Sequence, residues 1–281
     1  MTRIRIVTDS ACDVPPDYLE KYEIGVIPAY INFGLESIPD DGVNITRAAF
    51  YERLQTADPL PTTSAPPPGV SEQMMRDALA DADHVVAIHV ASKLSGIFNA
   101  SRVAAGAIGE DRVSLFDTGS ASMGGGWSVI AAAEAAAQGG DLDAVLKAAA
   151  FTRERTQLWA VPITMDYLRR SGRVNALVAG LGEMLQIKPI ISVQDGEANS
   201  AGRVRTTRKV IEKLIEMTHE KAPLERLAVL HLNNQEDAQY IRDALADIAP
   251  PDNTVMLMAS SAIGANFGPG GLGIGLVQAA S

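Results

Sequence analysis

The sequence predicts an α/β protein of two domains, the first built on a parallel sheet and the second on a mixed or antiparallel sheet. In the first half, short β-branched runs alternate with amphipathic helical patterns, which is typical of a parallel sheet covered by helices. In the second half, an Asp195-Gly196 turn joins two extended segments into a hairpin. The 281 residues, 47% of them hydrophobic, suffice for one large domain or two of ordinary size.

Residues 1–152 are predicted to form the parallel-sheet domain. Its strands are expected at residues 3–7, 24–33, 85–90 and 113–116. Its helices are expected to begin with Pro15 and Pro16, at Thr46, after the proline-rich segment 66–69, at Ser95 and at Ser122. In sheets of this kind, ligands bind beyond the carboxyl ends of the strands, where the loops lead into helices.

Residues 153–281 are predicted to form the second domain. A helix at 141–154 leads into it, a second helix is expected at 206–221, and strands are expected at 158–163, 227–232, 254–258 and 272–277. No charged residue follows Asp252, but glycines recur between residues 264 and 275, a composition that disfavours a membrane helix. We expect strand, glycine loop and strand there, without stable membrane insertion.

Composition narrows the class of protein. The formal net charge is −10, and an acidic protein repels phosphate backbones, so nucleic-acid binding is not expected. The single cysteine, Cys12, excludes an internal disulfide and fits a reducing compartment. The first residues contain no apolar run long enough for a signal peptide. We therefore expect a cytoplasmic protein, and a monomer.

Several features match catalytic or cofactor-binding patterns only superficially. Residues 268–273 fit G-x-G-x-x-G, yet too few residues follow for a helix and a distant acidic side chain. Cys12 has no evident activating base and is expected to be a small core or loop residue. His84 and His89 are expected to face opposite sides of one strand. We expect neither a metal nor a cofactor.

Two hydroxyl-rich loops are better candidates for a ligand site. Residues 62–64 lie between prolines, which stiffen the loop. Residues 92–96 link a predicted strand to a helix N-terminus, whose N–H groups and partial positive charge can hold an anion beside a serine hydroxyl. The alternative is an ordinary N-cap serine without a ligand.

Basic residues cluster between positions 169 and 209 of this otherwise acidic chain. The cluster contains Arg169, Arg170, Arg173, Arg203, Arg205, Arg208 and Lys209. A solvated basic face is one interpretation of such a run. The other is a docking surface for an anionic partner, because arginines bind phosphate and carboxylate groups through paired hydrogen bonds.

Together these segments resemble the DegV family, and in particular its fatty-acid-binding (FakB-like) members, which serve bacterial fatty acid kinase. Eight motifs occur in the family's order along the whole chain: TDSACD, PTTSAP, SKLSGIFNA, FDTGSASMGGG, YLRRSGRV, MLQIKPII, GRVRTTRK and IGANFGPGGLG. The resemblance implies a two-domain binding protein without chemistry of its own. Such a protein holds a long-chain fatty acid in an apolar tunnel and presents the carboxyl group to a separate kinase, which forms an acyl phosphate for phospholipid synthesis.

The resemblance also implies roles for residues at the carboxyl group. Thr62 or its neighbour Thr63, together with Ser95, is expected to hydrogen-bond it, with Gly96 alongside. The C-terminal loop departs from the family pattern, which usually reads GxHxGPG with a histidine beside the ligand. Asn266 stands at that position, followed by Phe267, and an asparagine can donate a hydrogen bond but cannot carry a positive charge.

Two residues of the basic cluster, Arg173 and Arg205, match positions that family members use to engage the kinase or its phosphate. No Mg²⁺ or ATP site is expected in this chain. An alternative hypothesis is a phosphotransferase or small-molecule transferase that uses Asp9, Ser10 and Asp117. Asp9 and Asp117 could act as general bases if burial raised their pKa, whereas loop capping is the simpler interpretation. A lipid-sensing regulatory module would differ from the carrier only in its partner.

Overall fold

The computed structural model describes residues 2–109, 111–173 and 187–280. The strands are β1 (Ile4–Asp9), β2 (Gly25–Ile27), β3 (Tyr30–Phe33), β4 (Glu36–Pro39), β5 (Thr62–Ser64), β6 (His84–His89), β7 (Val113–Asp117), β8 (Thr156–Val161), β9 (Lys188–Gln194), β10 (Glu197–Val204), β11 (Leu224–His231), β12 (Thr254–Met258) and β13 (Leu272–Gln278). The helices are α1 (Pro16–Lys21), α2 (Arg47–Leu54), α3 (Pro68–Ala78), α4 (Ile97–Ile108), α5 (Ser122–Ala137), α6 (Leu142–Arg155), α7 (Asp166–Ser171), α8 (Thr207–His219), α9 (Gln235–Ala244) and α10 (Ser261–Phe267).

The N-terminal sheet is parallel, with strand order β2-β1-β6-β7, as the alternation of strands and helices predicted. Side chains alternate across it, because successive residues of a strand point to opposite faces. Val7, Val85 and Ala87 pack beneath α3 and α4. Ile6 and Ile88 belong to the core on the other face, toward the second domain. The parallel sheet is therefore buried on both sides, as such sheets require.

The predicted strand at 24–33 was too long. Pro28 lacks an N–H donor and stands where the extended segment divides into β2, in the parallel sheet, and β3, outside it. The strand β3 pairs with β4 and β5 in a small antiparallel sheet of order β4-β3-β5. Its register places Thr63 opposite Ile31. This small sheet brings the hydroxyl-rich segment 62–64 to the second domain.

The second sheet is mixed, as predicted, with strand order β10-β9-β8-β13-β11-β12. The pairs β8–β9, β8–β13 and β11–β13 are antiparallel, and β11–β12 is parallel. The hairpin expected at Asp195-Gly196 joins β9 to β10. One face of this sheet packs against α8 and α9 through Val210, Leu214 and Ile241. The opposite face is turned toward the N-terminal domain.

The helix α5 lies between the two large sheets and contacts β1, β8 and β13. Its residues 122–133 are all buried, which explains why it lacks a polar face. Small residues allow α5 to approach β13 closely, since a Cβ at Gly275 would lie 3.1 Å from the Cβ of Met123. The indole Nε1 of Trp127 donates to the carbonyl of Gly275 at 3.0 Å. One continuous core therefore joins both halves of the molecule.

The uncharged C-terminal segment is more regular than expected. The glycine loop predicted between the last two strands contains the short helix α10. No helix in the described ranges is long and apolar enough to cross a membrane. The division between residues 152 and 153 stays a prediction, since α6 spans that point.

Candidate functional site

A cavity of about 150 Å³ lies between the mixed sheet and the loops of the N-terminal domain. On this measure one buried water needs roughly 10–15 Å³, so the cavity could hold far more than a single water. Its walls are aliphatic and include Leu158, Ile191, Val193, Leu230 and Leu232. Apolar walls give water few hydrogen-bond partners and favour an apolar ligand.

The alternation of side chains along the strands of the mixed sheet produces this wall. In β8, Leu158 and Ala160 line the cavity, whereas Trp159 and Val161 belong to the core beneath α8 and α9. Because side chains alternate along a strand, one face of the sheet serves the ligand space and the other serves stability. Gly273 also lines the cavity, and a larger residue does not fit there without a backbone shift, since a Cβ would lie 2.9 Å from the carbonyl oxygen of Trp159.

Polar residues reach the cavity from five separate segments, one of which is the start of α5 with Ser122. We call Thr63, Ser64, Ser95, Arg173 and Asn266 the polar rim; all five line the cavity. The strand β5 is their meeting point. Its Thr63 contacts Arg173 at 3.1 Å, and α10, which carries Asn266, packs on β5. Ala65 lies just beyond β5, and a Cβ added at Gly96 would be 3.3 Å from the Cβ of Ala65.

Both hydroxyls proposed for the ligand keep a donor available. The Ser95 Oγ accepts from the backbone N–H of Ile97 at 3.3 Å, and the Thr63 Oγ1 accepts from the Nη2 of Arg173 at 3.1 Å. In each case an N–H occupies a lone pair of the hydroxyl oxygen, while its own hydrogen can turn toward a ligand. Two O–H donors therefore reach the rim, as a carboxylate requires.

Thr62 differs from its neighbour. Its side chain is exposed, and Thr62 is not among the described residues that line the cavity. Thr63 and the following residue, Ser64, both line the cavity. The sequence left the choice between the two threonines open, and the geometry favours Thr63.

Asn266 and Phe267 both line the cavity from α10. The amide Nδ2 of Asn266 donates to the carbonyl of Ala262 at 2.7 Å, one helical turn earlier. That carbonyl fixes the orientation of the amide, because the opposite orientation would place two acceptors against each other. One amide hydrogen is thus occupied by the helix, and the side chain supplies the rim with a neutral polar group.

A buried group of charged residues that the sequence did not single out holds α10 in place. Asp40 accepts from the backbone N–H groups of Ser261 and Ala262, at 3.3 and 3.0 Å. Asp13 accepts from the N–H of Ser260 at 2.7 Å. Both carboxylates come from the N-terminal domain and satisfy N–H groups that the start of a helix leaves without partners.

Burial raises the pKa of Asp13, and the nearby Arg47 guanidinium, the Ser122 hydroxyl and the Ser260 N–H oppose part of the shift. The Nη2 of Arg47 lies 3.3 Å from Asp13, and Arg47 also donates to the carbonyl of Met258. No local pattern could have found the contacts of Arg47 with Met258 and of Asp13 with Ser260, because each pair lies more than 200 residues apart.

The residues of the alternative enzyme hypothesis serve as loop caps. Asp9 accepts from the N–H groups of Ala11 and Val90, at 3.0 and 2.9 Å. The Ser10 hydroxyl accepts from the N–H of Ala29 at 3.0 Å. Asp117 accepts from two backbone N–H groups of its own loop and the preceding one. None of the three residues is among the described residues that line the cavity.

The structure also shows the surroundings of Cys12 and of the glycine-rich segment 268–273, and bears on possible metal ligands. Cys12 is fully buried, and burial raises the pKa of its thiol well above the usual value, so the reactive thiolate is disfavoured. The strand β13, not a helix, follows the glycines of 268–273, so that match to the dinucleotide pattern is accidental. Among the described residues, no group of three or more His, Cys, Asp or Glu could hold a metal ion.

The two arginines predicted to engage a kinase are both exposed. Arg173 lines the cavity, whereas Arg205 is not among the described lining residues. Two of the family-like motifs extend beyond the described part of the chain: Val174 and residues 184–186 lie outside it.

Comparison with known proteins gives the family context. The family model described as "Uncharacterised protein, DegV family" matches residues 3–279. A DegV domain-containing protein of Mycobacterium tuberculosis is 34% identical over 283 residues, which cover 96% of this chain and 95% of the relative. A DegV domain-containing protein of Streptomyces coelicolor is 33% identical over 275 residues, which cover 96% and 97%.

Solved structures with the same architecture include two that were described through their ligand. A fatty-acid-binding DegV family protein from Thermus thermophilus matches with a TM-score of 0.89 and 29% identity, over 99% of this chain and 100% of the other. DegV of Bacillus subtilis, described as a fatty acid binding protein, matches with a TM-score of 0.87 and 26% identity over the same shares.

Proposed function

Because the chain belongs to the DegV family, we propose that it binds a long-chain fatty acid, with the acyl chain in the apolar cavity and the carboxyl group at the polar rim. The observation that carries this proposal is the pairing of an aliphatic cavity with two hydroxyl donors and an arginine at its rim. The fatty acid binding described for the similar Thermus thermophilus and Bacillus subtilis proteins supports it.

Burial of the acyl chain supplies most of the affinity. Each buried CH₂ contributes about 0.8 kcal/mol, so a sixteen-carbon chain gains roughly 12 kcal/mol before the costs of immobilisation. Thr63 and Ser95 contribute less to affinity than to orientation, since they fix the head group relative to the wall. With the acyl chain in the cavity and the carboxyl group at the polar rim, the carboxyl oxygens would stay within reach of a partner.

We further propose that the chain is the non-catalytic lipid-binding partner of a separate fatty acid kinase. The kinase would supply ATP and transfer a phosphoryl group to the carboxyl oxygen. The exposed Arg173 and Arg205, with their basic neighbours, would attract the kinase or the phosphate. The apolar walls would keep water from the reactive acyl phosphate.

The first experiment tests ligand binding. Protein purified from bacteria should release a fatty acid on denaturation, identified by mass spectrometry, and delipidated protein should bind palmitate or oleate. A preparation that contains no fatty acid and binds neither added acid would exclude the carrier function.

The second experiment tests the partner. With the cognate kinase and ATP, the loaded protein should yield acyl phosphate, and Arg205→Ala should reduce that yield while fatty acid binding stays unchanged. Turnover of a nucleotide or acyl substrate by the isolated chain would favour the enzyme hypothesis. A pull-down that recovers a regulatory protein in place of a kinase would favour the lipid-sensing module.

A further inference from the structure

On the premise of the proposed fatty acid site, we infer that Val193 closes the far end of the acyl cavity and sets the longest acyl chain that the protein binds. Val193 lies on β9 and is buried. On its other side lies a second space of about 410 Å³, which we call the distal groove. Among the described residues, Val193 is the one that lines both the cavity and the distal groove.

The directions of the strands show that Val193 lies far from the polar rim. Strands β8, β11 and β12 run in one direction, and β9 runs in the opposite direction. The segments that carry Arg173 and Asn266 follow the carboxyl ends of β8 and β12. The rim therefore lies at the end of the sheet where β9 begins. Val193 lies roughly 16 Å along β9 from its first residue, Lys188.

Beside Val193, the cavity and the distal groove are separated by tight packing between α5 and β8. Leu158 lines the cavity, and Gly124 of α5 lines the groove. A Cβ at Gly124 would lie 2.8 Å from the Cβ of Leu158, so an acyl chain cannot pass between them. The side chain of Val193 is then the barrier that an acyl chain meets when it extends toward the groove.

The turn that follows Val193 holds this barrier in a fixed position. The N–H of Gly196 donates to the carbonyl of Gly119, in the loop before α5, at 2.7 Å. The Nη2 of Arg153, on α6, donates to the Oδ1 of Asp195 at 3.0 Å. Because β9 is anchored at the end that carries Val193, an acyl chain cannot displace this residue without breaking these contacts.

The distal groove offers an acyl chain little stabilisation. Most of its described side chains are polar: Thr118, Ser120, Arg153, Glu154, Thr156, Gln194 and Asp195. A CH₂ group that is buried among the aliphatic walls of the cavity strengthens binding by about fourfold, whereas a CH₂ group among polar side chains gains much less. Affinity should therefore rise with chain length as far as Val193 and then stop rising.

The test offers the delipidated protein an excess of an equimolar mixture of saturated acids, from laurate to behenate in steps of two carbons. The bound acids are released by denaturation and quantified by mass spectrometry. Val193→Ala removes two methyl groups from the barrier, and Val193→Leu enlarges it. Val161→Ala is the matched control, because Val161 is a buried valine on β8 that packs beneath α8 and α9 and is not among the described lining residues.

We expect V193A to shift the most abundant bound acid by about two carbons toward longer chains, because the vacated space buries one or two more CH₂ groups. The amount of the longer acid relative to the shorter one should rise by about 4- to 14-fold. V193L should shift the distribution toward shorter chains. V161A should bind the same distribution as the unaltered protein. A general loss of stability does not imitate these shifts, since each variant is judged by the proportions of the bound acids.

Two results would overturn the inference alone: a V193A distribution identical to that of the unaltered protein, or the same shift in V161A. If V193A does not fold, V193L decides the question, and an unchanged distribution in V193L would overturn the inference as well. A different result, no binding of any of the acids by the unaltered protein, would remove the proposed function and this inference with it.

Discussion

At the scale of single residues, the capacity of the polar rim to bind a ligand depends on which of its polar atoms already have hydrogen-bond partners. The Ser95 Oγ and the Thr63 Oγ1 each accept from a protein N–H, which leaves their hydrogens for a ligand. Asn266 shows the opposite case, since its Nδ2 is partly committed to the carbonyl of Ala262. The sequence identified these residues through their loops and the family resemblance, but their hydrogen-bond states depend on contacts across the fold.

Removal of a rim hydroxyl should weaken fatty acid binding. We expect Ser95→Ala and Thr63→Val each to raise the dissociation constant of palmitate by about 3- to 10-fold, because each deletes one O–H donor to the carboxylate. Titration calorimetry on delipidated protein measures this change. Thr62→Val is the matched control, since Thr62 is exposed and adjacent in the same strand. A larger loss for Thr62→Val than for Thr63→Val would contradict the assignment.

At the scale of elements, α10 connects the site to the interior. Its first N–H groups are held by Asp13 and Asp40 from the other domain, and its last residues, Asn266 and Phe267, line the cavity. The glycine spacing of this segment predicted a loop. A short helix forms there because carboxylates that are distant in sequence satisfy its N-terminus, which local patterns do not reveal.

A substitution at Gly264 should show how closely α10 is packed. A Cβ at this position would lie 2.6 Å from the hydroxyl of the buried Tyr51 and 2.8 Å from the ring of Phe50. We expect Gly264→Ala to lower the free energy of unfolding by about 1–3 kcal/mol and to weaken palmitate binding, because α10 must move. Chemical denaturation and ligand titration measure both effects. Gly69→Ala, where a Cβ meets nothing within 4 Å, is the control.

The buried Asp13 should give stability a distinctive pH dependence. Burial raises its pKa, so the folded protein holds this proton more tightly than the unfolded chain does. Its contribution to stability is therefore present at acid pH and is lost as the pH rises from the ordinary carboxyl value through the raised one. Asp13→Asn removes this titration.

Urea unfolding at a series of pH values between about 4 and 8 measures the effect. We expect the stability of the unaltered protein minus that of Asp13→Asn to decrease with rising pH and then to level off. Asp17→Asn, at an exposed position of α1, is the control for the introduction of an amide. A difference that increases with pH would show that the Arg47 contact outweighs the desolvation of Asp13.

At the scale of the whole molecule, five layers explain where the cavity lies. From one side to the other they are α3 and α4, the parallel sheet, α5, the mixed sheet, and α8 with α9. The helix α5 fills only part of the space between the sheets. Beside it, small residues such as Ala160 and Gly273 leave the cavity that we assign to the acyl chain. The interface between the two sheets must therefore provide both the packing that stabilises the fold and the space for the ligand.

A substitution that fills the cavity should therefore affect stability and ligand binding in opposite directions. Ala160 lines the cavity from β8, so Ala160→Phe should occupy the ligand space. We expect the delipidated variant to be as stable as the unaltered protein or more stable by about 0.5–2 kcal/mol, because a cavity is filled. Palmitate binding should fall by at least about 100-fold, since the acyl chain loses buried CH₂ groups. Retained binding in Ala160→Phe would place the acyl chain elsewhere.

The amino-acid sequence by itself determined the fold class, the parallel and mixed sheets, and the hydroxyl-rich loops, because these follow from local periodicity, turn residues and motif order. The tertiary structure decided which threonine faces the cavity, how the 24–33 segment divides, and that Arg173 lines the cavity. It also brought Asp13 and Asp40 to α10. Such features depend on contacts between residues that are far apart in the chain, and those contacts form only when the two sheets pack around α5.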